Sequence, residues 1–129
     1  MSVLPSTISL HLGYRIWIAE MNFDINVIRI YKDYLKELST NNNEAGIIKK
    51  VEDFEKTLQS LRNDIDDLRN EMHLLKMKLA AQIRKQKQSD TVAGKADDHA
   101  GLKKRYNNFR NKFETLKSDL SVFVTTMHP

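Results

Sequence analysis

Residues 47–79 read IIKKVEDFEKTLQSLRNDIDDLRNEMHLLKMKL. Within them Ile47, Val51, Phe54, Leu58, Leu61, Ile65, Leu68, Met72, Leu75 and Leu79 recur alternately four and three residues apart without a miss. Apolar side chains every 3.5 residues keep one stripe of a slightly under-wound helix turned toward a partner, so the spacing predicts a coiled-coil seam that other helices must cover. The seam from Val51 to Leu79 is also the predicted contact between subunits of a homo-oligomer, a dimer being favoured. The pattern specifies an architecture and names no reaction or ligand.

Outward from the seam, the helix that carries it is expected from about Glu44 to about Lys85, roughly 60 Å at 1.5 Å per residue. Its C-terminal half has further apolar residues off the seam, Leu74, Met77, Ala80, Ala81 and Ile83, which widen the stripe into a face suited to a bundle. Residues 86–101, QKQSDTVAGKADDHAG, lose all apolar periodicity and read as a loop, with Asp97 or Asp98 a natural N-cap for the next helix. Over residues 98–127 the heptad returns in Leu102, Tyr106, Phe109, Phe113, Leu116, Leu120, Phe123 and Met127. Rings of that size suit a multi-helix core better than a two-stranded zipper. The same period on both sides of one loop predicts an antiparallel helical hairpin.

Upstream, residues 24–39 are expected to form a shorter first helix with Asp24 as N-cap and an apolar face of Val27, Ile28, Tyr31, Tyr34, Leu35 and Leu38. Ser39 to Asn43 should end it, with Thr40 or Asn43 capping the following helix. Residues 1–20, MSVLPSTISLHLGYRIWIAE, behave differently: Ile8, Leu10, Leu12, Tyr14, Ile16 and Ile18 alternate with mostly polar neighbours. That is the period of a strand, so an extended N-terminal arm is expected, either loosely docked, an upstream extension of a chain starting naturally at Met21, or paired with a neighbouring subunit. The arm has no basic residue ahead of its apolar part and is too short and polar to span a bilayer, which points to a cytoplasmic protein without a membrane segment. The expected fold is therefore all-α: an arm over 1–20, then one helical domain over 21–129, elongated and completing its bundle by oligomerisation.

Flanking charges refine the pairing. In a parallel homodimer, Lys50 would meet Glu55, Asp64 would meet Arg69, and Glu71 would meet Lys76, all attractive. The same rule sets Arg105 against Arg110 and Lys112 against Lys117, both repulsive. The third helix is thus expected to fold back on its own chain while the second supplies the subunit contact. The alternative is a second helix buried wholly within its own chain, the first helix covering its early part. Exposed pairs are worth about 0 to 1 kcal/mol each, so charge selects among arrangements that apolar burial drives.

Composition removes several chemistries. The 129 residues include no cysteine, which excludes disulfides, thiolate metal sites and a cysteine nucleophile. His11, His73, His99 and His128 lack metal-ligand spacing, and Asp97, Asp98 and His99 are adjacent residues better suited to capping than to holding a cation. No phosphate loop, Gly-x-Ser-x-Gly or Glu-x-x-His motif occurs. The carboxylates Glu52, Asp53, Asp66 and Asp67 fall on the outer face of the second helix, where they stay hydrated and are not expected to serve acid–base catalysis. Trp17 is expected near a surface. No catalytic residue, metal or cofactor is expected, and the function expected is a non-enzymatic protein–protein interaction or scaffolding module. The alternative is a small nucleic-acid-binding or regulatory protein. It would use residues 76–95, where six basic groups face the single Asp90 within a net charge of +4.

Overall fold

A computed structural model describes residues 6–85 and 96–127, the side chains of 96–98 excepted. The described residues form three helices, α1 (Thr7–Asn41), α2 (Ala45–Lys85) and α3 (Ala96–Met127). All-α is the correct class, and the helices over 44–85 and 98–127 are found within two residues of their expected starts.

The extended arm is overturned over Thr7–Glu20, which continues the first helix upstream; residues 1–5 lie outside the described residues. The strand-like alternation is two helical faces superposed. Leu10, Tyr14 and Ile18 step by four residues along the buried face, whereas Ile8, Leu12 and Ile16 step by four along the opposite, exposed one. Interleaved, two i, i+4 series make every second residue apolar and imitate period two. The helix begins at Ser6, whose side chain accepts a hydrogen bond from the Ser9 amide at 3.0 Å, and the Leu10 amide closes the first turn on the Ser6 carbonyl. Asp24 is therefore mid-helix and not a cap. At the other end the Ser39 and Thr40 hydroxyls donate to the Lys36 carbonyl and Asn42 Nδ2 donates to the Leu38 carbonyl. The Asn42 bond serves one of the carbonyls that the last turn leaves open. For α2, the Glu44 carbonyl takes the first turn's bond from the Ile48 amide, so the helix starts there and not from a Thr40 or Asn43 cap.

The helices run up, down and up. Lys32 Nζ donates to Gln59 and Arg69 donates to Asn22, which sets α1 antiparallel to α2. Phe54 packs against Phe123 and Arg105 pairs with Glu71, which sets α2 antiparallel to α3. Tyr14 meets His99 while Asp24 meets Arg110, so α1 and α3 are parallel. One buried cluster draws on all three helices, with Met21, Leu35, Leu58, Ile65, Met72 and Phe113 fully enclosed. Among the described residues no α1 Cα comes within 8 Å of an α3 Cα. Aromatic side chains fill that wider gap.

Candidate interaction surface

The seam predicted as a subunit contact lies inside the chain. Val51, Leu58, Leu61, Ile65, Leu68, Met72 and Leu79 are buried, and Phe54 and Leu75 are half-buried against the same core. Their cover comes from α1 and α3. At 35 residues α1 is more than twice its expected length and supplies the wall that a second subunit was expected to provide. Several of the flanking charges are likewise engaged within the chain. Glu71 pairs with Arg105, Arg69 with Asn22 and Asp66, and Arg110 with Asp24 and Glu114. A partner reaching this seam would have to displace one of the chain's own helices.

Between α1 and α3 lies a layer of aromatic and polar groups. The Trp17 ring stacks on Tyr106 at 4.8 Å and on His99 at 6.2 Å. His99 and Tyr106 are two turns apart, about 10.5 Å of rise, so the indole sits between them. The Tyr14 hydroxyl is 2.9 Å from His99 Nδ1, and the Tyr106 hydroxyl donates to Glu20 at 2.6 Å. Burial, followed by Lys103, lowers the His99 pKa; burial and the Glu20 carboxylate raise that of Tyr106. Trp17, expected near a surface, is thus half-buried at a helix–helix contact.

One layer further, Asp24 is enclosed and pairs with Arg110, whose guanidinium lies about 6 Å from the rings of Tyr106, Phe109 and Phe113. Burial raises the Asp24 pKa, with Arg110 pulling it back. Each of these polar groups is paired with another inside the bundle. The arrangement fixes the register of α3 on α1 and presents no convergent acid, base and nucleophile to a substrate. Beside His99, the space lined by Leu10, Tyr14, Leu75 and Leu79 amounts to about 40 Å³, room for about one water.

Other concavities are open grooves. One of them, about 560 Å³ between α2 and α3, is rimmed by Lys50, Asp53, Asp64, Lys112 and Asp119 over a floor that includes Phe54, Leu61 and Leu116. Among the described residues no three His, Asp or Glu side chains gather where a metal ion could be held, and no helix is long and apolar enough to cross a membrane. His73 is exposed. In the basic stretch, Lys78, Arg84 and Lys85 are exposed and Lys76 is half-buried; residues 86–95 lie outside the described residues.

The surface that sequence reasoning missed is the outward side of α1. Ile8, Leu12, Ile16, Ala19, Phe23, Val27, Ile30 and Tyr34 follow one another by four, four and three residues, repeated. Eleven residues in three turns is 3.67 per turn, close to the pitch of a straight α-helix, so the line barely drifts around the axis. Ile8, Leu12, Ile16, Phe23 and Ile30 are between 50% and 67% exposed, Ala19 is exposed, and Val27 and Tyr34 are half-buried at the edge of the core. The line runs for about 39 Å. Its border toward α2 carries Arg15, Asn22 and Arg29, and its border toward α3 carries Glu20. The eleven-residue spacing is visible in the sequence once residues 7–23 are treated as helix.

Compared with known protein families, curated proteins and solved structures, the chain matches none.

Proposed function

We propose that this protein is a non-enzymatic helical interaction module that assembles with itself, using the outward face of α1 and not the Val51–Leu79 seam. The observation that carries the reading is the unbroken apolar line from Ile8 to Tyr34 on a helix whose opposite face is already buried. Five large side chains at least half exposed present on the order of 500 Å² of contiguous apolar surface, near the upper end of what a monomer normally leaves in water. A helix that served only its own core would carry polar residues there. The self-contained core supports a scaffolding role, because each subunit can fold before it assembles.

The test is solution mass by light scattering over a range of concentrations, for the native chain and for a Leu12→Glu/Phe23→Lys variant. The native chain is expected to exceed its 15.0 kDa monomer mass, and the variant to remain monomeric with unchanged helicity. A native chain that stays at the monomer mass at every concentration overturns the reading.

A further inference from the structure

We infer that the occupant of the outward α1 face is the same face of a second copy, docked antiparallel about a twofold axis that passes between the two α1 helices level with residue 21. This rests on the self-assembly reading above and adds its geometry. The spacing of the line is nearly the same read from either end. Setting Ile8 of one copy opposite Tyr34 of the other places Leu12 opposite Ile30 and Ala19 opposite Phe23, with Ile16 and Val27 offset by a single residue. The pairing of Ala19 with Phe23 decides the direction. In a parallel, in-register pair two alanines would face each other, one turn from two facing phenylalanines. That leaves a void beside a crowded layer. Antiparallel pairing instead sets each large ring against a small residue, twice, by symmetry.

Charge opposes this weakly. Antiparallel docking brings the like borders together, so Arg15 approaches Arg29 of the second copy and Glu20 approaches its own counterpart, whereas the parallel pair would set Arg15 near Glu20. These groups sit on the rim, and exposed ion pairs contribute much less than the fit of the central layers. The area is sufficient. Two lines of about 500 Å² each, with their borders, reach about 1,200 Å², the lower end of specific interfaces. The twofold closes on itself and yields a dimer, with both α2–α3 grooves left open on the far sides.

The chain's lack of cysteine makes the direction directly readable. Leu12→Cys and Ile30→Cys are each prepared in the full chain, oxidised alone and as an equimolar mixture, and resolved by mass without reductant. Both positions are exposed, so neither change touches the core. A disulfide needs Cα atoms within about 7 Å. Antiparallel docking separates residue 12 from its counterpart by about 27 Å along the axis. Covalent dimers in the mixture only, joining one variant to the other, are the expected result. Like-with-like disulfides, or none in the mixture while the native chain still exceeds its monomer mass, overturn the antiparallel contact and leave self-assembly standing. A native chain at the monomer mass overturns both.

Discussion

Ile16 and Ile18 separate a helical N-terminal segment from an extended one more sharply than any other pair. Two residues apart, they would share one face of a strand and respond alike to truncation. On a helix they are about 200° apart. Here Ile18 is 7% exposed within the core, and Ile16 is 50% exposed on the outward line. Ile18→Ala removes buried methyl and methylene groups and leaves a cavity, a loss of about 2 to 5 kcal/mol. Ile16→Ala removes little that is shielded from water and gains slightly in helix propensity, so its effect on the monomer stays within about 0.5 kcal/mol. With a urea dependence on the order of 2 kcal/mol per molar, Ile18→Ala lowers the unfolding midpoint by about 1 to 2.5 M and Ile16→Ala by no more than about 0.3 M. The assay is urea unfolding followed by far-UV circular dichroism, at dilutions where the midpoint no longer depends on protein concentration, because association would stabilise the native variant selectively. Equal losses at the two positions would refute the helix over residues 7–20, and with it the outward line.

Three further outcomes are expected. Arg110→Gln strands the buried Asp24 carboxylate and costs about 3 to 5 kcal/mol, whereas the Asp24→Asn/Arg110→Gln double variant loses much less; a double-mutant cycle of Asp24→Asn, Arg110→Gln and the double variant at neutral pH measures the coupling, and additive losses would show the two groups act independently. The lowered His99 pKa means the folded chain resists protonation there, so its contribution to stability is present above the unfolded histidine value near 6.5 and declines as pH falls below it. His99→Phe should flatten that acid-side slope in thermal unfolding from pH 7 to 5, with the remainder assigned to His11, whose pKa burial, Arg15 and Lys76 also lower; an unchanged slope would contradict this. Leu68→Glu places a charge in the enclosed seam and should abolish cooperative unfolding, while Asp67→Ala on the exposed side changes stability by less than about 0.5 kcal/mol; comparable effects would mean the heptad register is shifted.

The order of the amino acids carried periodicity and its consequences. Ten apolar positions from Ile47 to Leu79, and eight more from Leu102 to Met127, could be satisfied only by long helices with one face covered, and both are found. The polar run Ser39–Asn43 marked a helix end because its side chains compete for backbone hydrogen bonds, and Ser39, Thr40 and Asn42 make such bonds to the preceding turn.

Tertiary structure decided what covers each face. A seam states that it must be buried and carries no label for the partner, so Val51–Leu79 fitted a second subunit as well as it fits α1 and α3. The same indifference held at residues 7–20, where two i, i+4 series on opposite sides of one helix give the alternation of a strand; only packing, which buries Leu10, Tyr14 and Ile18 and leaves Ile8, Leu12 and Ile16 in water, separates them. Asp24 has the composition of a cap, and only the approach of Arg110 from a helix 86 residues away makes it an interior ion pair. Local sequence fixes period and propensity over a few turns, whereas burial depends on which distant helix arrives and at what offset.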